Sequence, residues 1–175
     1  MKSFKRKLKE FFAEDRGDLT LSGGIGILIM LVLVGGILLT AQRAFSSYKL
    51  MNAQRDIAMM KMHVQSLYAG SSDYTGLSNT VGISAGVFPS DMIKGATVKN
   101  ASGGQVTLAP GTDVTQFTIS YSEIPQDVCL KIAQLGDDWA SIAVNGVDVM
   151  AAANRISATA GACQDGANTV VFGSN

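Results

Sequence analysis

The hydrophobic and polar residues of the chain follow three successive patterns. No charged residue occurs over Leu19–Gln42, and Ile25–Ala41 is almost wholly apolar. From there to Tyr68 apolar and polar residues recur at helical spacing, and neither glycine nor proline interrupts them. Beyond Gly70 short apolar stretches alternate with clusters of Gly, Ser, Asn and Asp. The patterns predict one helix over about residues 20–69, followed by a mixed region of strands and turns.

The predicted helix changes character along its length. Its first half is apolar on every side, so it needs either lipid or other copies of itself as a partner. About 20 such residues cross a hydrocarbon core of about 30 Å. Its second half has an apolar face with Leu50, Ile57, Val64 and Leu67, and a polar face with Lys49, Gln54, Arg55, Lys61 and Gln65. We expect this amphipathic half to pack on a globular domain.

The region after the helix predicts an antiparallel sheet. Phe117, Ile119 and Tyr121 alternate with polar neighbours, which is the period of a half-buried strand. Asn145-Gly146 is a favoured pair for a tight hairpin turn. The predicted elements are a short helix near Pro89–Lys94, a helix over Gln126–Leu135, and strands over Ala96–Lys99, Gln105–Ala109, Gln116–Ser122, Trp139–Val144, Val147–Met150 and Thr169–Phe172. The fold class is therefore α+β, a long helix on an antiparallel sheet of mostly sequential strands.

Charge is balanced over the whole chain but uneven along it. The 14 basic and 14 acidic residues give no support for a nucleic-acid partner. Basic residues gather before the apolar run, at Lys2, Lys5, Arg6, Lys7, Lys9 and Arg16. Cations favour the cytoplasmic side of a membrane segment, so residues 1–17 are expected in the cytoplasm and everything after Arg43 outside.

The sequence contains two cysteines, Cys129 and Cys163. In an exported domain such a pair usually forms a disulfide, whereas in a cytosolic protein it more often stays reduced. Because the charge pattern places both cysteines on the exported side, we expect a Cys129–Cys163 disulfide.

Catalytic and metal-binding motifs are absent from the sequence. It contains no phosphate-binding loop, no nucleophile elbow and no zinc-protease motif. His63 is the single histidine, and its distance in sequence from the two cysteines matches no zinc spacing. The adjacent acids Asp137 and Asp138 are typical of a solvated turn. We therefore expect no enzymatic activity, no metal site and no cofactor.

A plain one-pass membrane anchor would account for the apolar run by itself. Two features favour a more specific use. The run and its start contain Gly23, Gly24, Gly26, Gly35 and Gly36, and glycine is common where membrane helices pack closely. The helical pattern also continues beyond the expected membrane edge. The glycines therefore predict a surface for close packing against other helices.

Several blocks of the sequence resemble the type IVb class of type IV pilins, such as the toxin-coregulated, longus-type and bundle-forming pilins. Ala41–Phe45 is similar to a block of toxin-coregulated pilins. Leu67–Gly70, Tyr74–Leu77 and Gly103–Gln105 are similar to bundle-forming pilin, and the ending Val171–Asn175 also fits. The resemblance extends over nearly the whole chain. It implies the type IV pilin fold, with a C-terminal region bounded by the disulfide.

The same resemblance implies three segments. Residues 1–17 would be a leader cleaved after Gly17, residues 18–45 a transmembrane and filament-core segment, and residues 46–175 a globular head. Two positions depart from the family pattern. Asp18 stands where mature chains usually begin with Met, Phe or Leu, and Ser22 stands where a Glu usually neutralises the N-terminal amine of a neighbouring subunit. These departures bear on cleavage, on N-methylation and on the choice between major and minor subunit.

The resemblance also implies a function and a location. The chain would be a fimbrial structural subunit, held in the inner membrane as a prepilin and polymerised into an extracellular filament for adhesion, aggregation or conjugative contact. Its expected partners are other copies of itself, prepilin peptidase, the inner-membrane assembly machinery, an outer-membrane secretin and membrane lipid. The alternatives are a minor or priming pilin of the same system and a monomeric membrane-anchored sensor domain.

Removing residues 1–45 should leave a folded, soluble, monomeric domain. The apolar half of the helix is expected to contact only lipid or other subunits, so the domain does not need it for stability. Size-exclusion chromatography and thermal unfolding of the fragment check this. Precipitation, or unfolding without a cooperative transition, would show that the helix does not divide into two functional halves.

Overall fold

The structure, a computed structural model, describes residues 22–136 and 138–175. The predicted leader, residues 1–17, lies outside the described residues, as do Gly17 and Asp18 at its cleavage site. The chain divides into two units between Ala44 and Phe45. The fold described below is that of the second unit, Phe45–Asn175.

The described part of the chain contains four helices and seven strands. The helices are α1 (Ser22–Leu67), α2 (Asn79–Ser84), α3 (Gln126–Ile132) and α4 (Arg155–Ala162). The strands are β1 (Ile93–Lys94), β2 (Thr97–Val98), β3 (Val106–Pro110), β4 (Phe117–Ile124), β5 (Ser141–Val144), β6 (Val147–Asp148) and β7 (Asn168–Ser174). The α+β fold class predicted from the sequence is confirmed.

The second half of α1 buries one face in the core of the domain. Its buried apolar residues are Ala53, Ile57, Met60 and Val64, which recur every three or four positions as an amphipathic helix requires. On the other side, Met62 is 59% exposed. The prediction was right for Ile57 and Val64. It was wrong for Leu67, which is 44% exposed because it lies at the last residue of the helix.

The main sheet is antiparallel with the strand order β3-β4-β7-β5-β6. Strand β7 pairs on one side with β4, where Phe172 lies opposite Ile119, and on the other with β5, where it lies opposite Ile142. All three residues are fully buried. The expectation of mostly sequential strands was therefore wrong at the centre of the sheet, because β7 separates β4 from β5. A smaller sheet contains β1 and β2.

The short helix predicted near Pro89–Lys94 is absent, since Ile93 and Lys94 form β1 instead. The helix of this region is α2, ten residues earlier than predicted. Ser78 caps it by accepting a hydrogen bond from the backbone nitrogen of Val81. Asn79 fixes α2 to β3, where its side chain bonds the backbone of Val106 and Leu108.

Helix α4 was not predicted from the sequence. The side chain of Asn154 caps it by accepting a hydrogen bond from the backbone nitrogen of Ser157 at 3.0 Å. The helix contains Ser, Thr, Gly and Ala with little apolar periodicity, so pattern analysis does not detect it.

Two turns depend on unusual backbone angles. The predicted hairpin turn at Asn145-Gly146 is confirmed, with φ of 51° and 86° at the two residues. Glu123 also has a positive φ, 56°, and lies where the pairing of β4 with β7 shifts register. Beside it Gly104 leaves no room for a side chain, because an added Cβ would overlap the backbone of Ser122.

Candidate functional site

The residues that the sequence assigned to cleavage and filament packing lie on or before α1. Ser22 is its first residue. The glycines predicted to pack in a filament core, Gly23, Gly24, Gly26, Gly35 and Gly36, all belong to the same helix. Their roles remain predictions. No helix in the described part of the chain combines the length and apolar character needed to cross a membrane.

The predicted disulfide is present. Cys129 on α3 bonds to Cys163, which directly follows α4, and their Cα atoms are 6.0 Å apart. Both cysteines are buried. Beside the bond, the side chain of Gln126 donates a hydrogen bond to the carbonyl of Cys163 at 3.0 Å. A closed loop of this size stabilises the folded state by roughly 3–4 kcal/mol in the chain-entropy model.

Arg155 makes a second connection between α3 and α4. Its Nη2 donates to the carbonyl oxygens of Ala133 at 2.9 Å and of Leu135 at 2.7 Å. Both carbonyls follow the end of α3, where helix carbonyls lack partners within the helix and where a positive charge is favourable. The disulfide-bounded region is thus held at two separate points.

Asn168 fixes the segment between the disulfide and β7. It is 1% exposed, and its Nδ2 donates to the carbonyls of Ile124, Gln164 and Gly166. Its Oδ1 accepts from the backbone nitrogen of Gln164. A single asparagine before a strand carries no sequence signal of burial, so the role of this residue was not predicted.

A buried carboxylate lies on the inner face of α1. Asp56 is 3% exposed, and its Oδ1 accepts from Nε and Nη2 of Arg55 at 3.2 and 3.1 Å. Burial raises the pKa of Asp56, and the hydrogen bond and charge of Arg55 only partly oppose this. The nearby Tyr121 is buried as well, and burial followed by the charge of Asp56 raises its pKa well above the usual value. The periodicity of α1 gave no sign of this inward carboxylate.

The outer side of α1 contacts the segment between α3 and β5. Nζ of Lys61 donates to the carbonyl of Asp138 and lies 4.6 Å from the ring centre of Trp139. One turn further, Gln65 donates to the carbonyl of Asn175 at 2.8 Å. The adjoining groove of about 440 Å³ is lined in part by Met62. These contacts attach the helix to the domain, and they include no nucleophile paired with a base.

The described residues contain no group of His, Cys, Asp and Glu that could hold a metal ion. The Nδ1 atom of His63 lies 3.3 Å from the carbonyl oxygen of Val87. The arrangement of the domain is that of a stabilised scaffold, with its polar groups used for internal connections.

Comparison with known families gives a match over most of the domain. The family described as PilS N terminal matches residues 47–175. This range covers the second half of α1 and every later element.

Two curated relatives are similar to the chain over 126 residues, each with 23% identity. Both are major structural subunits of bundle-forming pilus, from Escherichia coli O127:H6 and Escherichia coli O111:H-. The similarity covers 69% of this chain and 65% of each relative.

Two solved structures share the fold. A type IVb pilin from Salmonella typhi matches with a TM-score of 0.57 and 25% identity, over 74% of this chain and 99% of that one. TcpA, a type IV pilin from Vibrio cholerae El Tor biotype, matches with a TM-score of 0.56 and 14% identity, over 73% of this chain and 99% of that one.

Replacing the buried carboxylate by an amide, Asp56→Asn, should stabilise the domain at neutral pH. Because the pKa of Asp56 is raised in the folded state, its contribution to stability is full below the ordinary value of 3.8 and is lost as the pH rises through the folded value. The advantage of Asp56→Asn should therefore be largest near neutral pH and shrink on acidification. Urea unfolding between about pH 4 and pH 7 measures this.

Asp165→Asn is the matched control, since Asp165 is exposed. We expect it to change the free energy of unfolding by less than about 0.5 kcal/mol. If Asp56→Asn were destabilising at neutral pH, the pairing with Arg55 would outweigh the cost of burial, and this explanation of the pKa would be wrong.

Proposed function

The chain belongs to the PilS family of type IVb pilins, and from this membership we propose that it is a structural subunit of a type IVb pilus. The observation that carries the proposal is the family match over residues 47–175, on a domain whose fold is that of the Salmonella typhi type IVb pilin. The family is one of structural proteins, so the chain is not an enzyme.

The two halves of α1 support assembly by self-association. The apolar face of the second half is covered by the core of its own domain. The buried residues on this face are Ala53, Ile57, Met60 and Val64. The first half, within the uncharged stretch Leu19–Gln42, is apolar on every side. Lipid before assembly and the same helix of other subunits afterwards would each cover such a surface.

The route to the filament is also part of the proposal. The precursor is held in the inner membrane with residues 1–17 in the cytoplasm and the domain in the periplasm, as the charge distribution favours. A prepilin peptidase removes the leader after Gly17. The inner-membrane assembly machinery and an outer-membrane secretin then bring the subunit to an extracellular filament. Disulfides form and persist in oxidising compartments, so the Cys129–Cys163 bond supports a periplasmic location for the domain.

The second candidate is a minor or priming pilin of the same system. The observation that favours it is Ser22, which cannot neutralise an amine as the usual Glu does. A minor subunit occupies few places in a filament, so the loss of that contact would matter less. The abundance of the chain in the filament distinguishes the two candidates.

Material sheared from cells that carry the complete assembly system should contain this chain as its main protein, with Asp18 as the first residue. N-terminal sequencing and quantitative mass spectrometry of the sheared fraction measure both points. A trace amount with the same N-terminus would indicate a minor pilin. A chain that keeps its leader and stays with the membrane would instead identify a plain anchor and overturn the proposal.

Asp18 is proposed to replace the missing glutamate. It is the only acid before Asp56 in the mature sequence. An ammonium buried among apolar helices without a partner is very costly. A carboxylate on the same residue makes the mature N-terminus self-neutralised, so that docking of a subunit does not desolvate an isolated cation.

Asp18→Ala should therefore lower the yield of filaments, whereas Ser22→Glu alone should be tolerated or raise it. The double variant, Asp18→Ala with Ser22→Glu, restores the usual family arrangement and should recover assembly. Comparing cleaved with assembled pilin in cells carrying each variant separates peptidase effects from assembly effects. Normal cleavage and normal assembly of Asp18→Ala would rule out the neutralising role.

A further inference from the structure

The hairpin turn between β5 and β6 contains a chemically labile pair. Asn145-Gly146 is the one Asn-Gly step in the sequence, and both residues are exposed. In such a step the backbone nitrogen of the glycine can attack the side-chain carbonyl carbon of the asparagine, since glycine offers no side chain to hinder it. The turn geometry itself favours this pair, because both residues have positive φ.

Three hydrogen bonds hold the side chain of Asn145 in a conformation that does not favour this reaction. Its Nδ2 donates to the carbonyl of Ala162 and to Oδ1 of Asn168, both at 2.9 Å. Its Oδ1 accepts from the backbone nitrogen of Thr169 at 2.9 Å. The backbone nitrogen of Asn145 also donates to the carbonyl of Thr169. We call this set of contacts the Asn145 clamp.

For attack, the Asn145 carboxamide must turn toward the nitrogen of Gly146. The clamp holds the same carboxamide against α4 and β7 instead. Reaction then requires local opening of the clamp, and the observed rate falls in proportion to the small population of the open state.

All partners in the clamp belong to the segment Ala162–Thr169, which contains Cys163. The disulfide fixes Cys163 to α3, and Gln126 bonds its carbonyl. Asn168 is in turn held by Gln164, whose backbone nitrogen shares the same Oδ1 acceptor. The position of the clamp therefore depends on the disulfide, although Asn145 lies on a different hairpin.

We propose that Asn145 is a latent deamidation site, kept inert by the Asn145 clamp for as long as the Cys129–Cys163 disulfide is intact. When the disulfide is lost, the clamp opens and the exposed turn reacts. Deamidation at Asn145 is irreversible, so a modified hairpin would mark a subunit that lacked the Cys129–Cys163 disulfide.

The chemistry needs only water and a solvent base. A bond forms between the nitrogen of Gly146 and Cγ of Asn145, and the amide proton of Gly146 passes to the base. The protonated base then returns a proton to Nδ2, the Cγ–Nδ2 bond breaks, and Nδ2 leaves as ammonia. Water then opens the cyclic imide at either carbonyl, which gives aspartate or isoaspartate. No oxidant or reductant takes part in these steps.

The product cannot rebuild the clamp. An aspartate at position 145 has no donor for the carbonyl of Ala162, and its carboxylate faces the Oδ1 of Asn168, where two acceptors repel each other. Isoaspartate also lengthens the main chain within a two-residue turn. The modification therefore releases the hairpin from α4 and β7.

The test follows deamidation of the full chain, purified in detergent, at 37 °C and mildly alkaline pH. Three samples are compared: oxidised, reduced with both thiols blocked, and fully denatured in urea. Peptide mass spectrometry measures conversion at Asn145, and chromatography separates the isoaspartate form. We expect the oxidised protein to react at least about tenfold more slowly than the denatured one, since opening the clamp breaks several hydrogen bonds. The reduced protein should approach the denatured rate.

Asn168→Ala removes one acceptor of the clamp while leaving the disulfide in place. Losing one hydrogen bond of ordinary strength raises the open population about fivefold. Because Asn168 also makes other bonds that position this segment, conversion at Asn145 should accelerate by at least about that factor. Asn79→Ala is the control, because Asn79 also bridges to the backbone but on α2 and β3. It should leave the rate at Asn145 unchanged.

If Asn168→Ala fails to fold, the comparison of oxidised with denatured wild-type protein still shows whether the clamp protects Asn145 from deamidation. Equal rates in those two samples would show that the clamp gives no protection. Protection that persists unchanged after reduction would overturn the dependence on the disulfide.

Discussion

Pairing of β7 on both sides is the constraint on which the rest of the domain depends. Strand β7 contributes ladders to both β4 and β5, and Phe172 in its middle is fully buried. Strand β7 alone joins the β3–β4 pair to the β5–β6 pair by backbone ladders in the described sheet. The chain therefore has to bring residues 168–174 into a gap between strands that precede them, and this placement is entropically demanding because the contacts are distant in sequence.

The contacts before β7 fix its entry into the sheet. The disulfide, the bonds from Arg155 to the end of α3 and the bonds of Asn168 all act on residues 124–168. Together they limit the positions from which β7 can start. Asn168 also accepts a hydrogen bond from Asn145, so one buried side chain connects the entry of β7 to the exposed hairpin turn.

The local elements were predictable, and the long-range arrangement was not. Alternation of apolar and polar residues predicted β4, and the Asn145-Gly146 pair predicted the hairpin turn between β5 and β6. The charges before the apolar run placed both cysteines outside the cytoplasm and so predicted the disulfide. Each of these signals lies in neighbouring residues or in the distribution of charge. The position of β7 was not predictable, since no local pattern states which strands it joins. Polar groups that face inward, such as Asp56 and Asn168, were missed because their partners come from elsewhere in the fold.

The charges on α1 show how this chain accommodates a desolvated ion. Arg55 and Asp56 are adjacent, and adjacent side chains diverge on a helix, yet the long arginine side chain reaches back to the buried carboxylate while Arg55 itself stays 57% exposed. A sequence neighbour thus offsets part of the cost of burying Asp56, although burial still raises the pKa of this carboxylate. A mature N-terminus at Asp18 would likewise place opposite charges close together in sequence, with amine and carboxylate on one residue. Because no acid lies between Asp18 and Asp56, a filament core built from residues 18–45 would have to take its negative charge from Asp18.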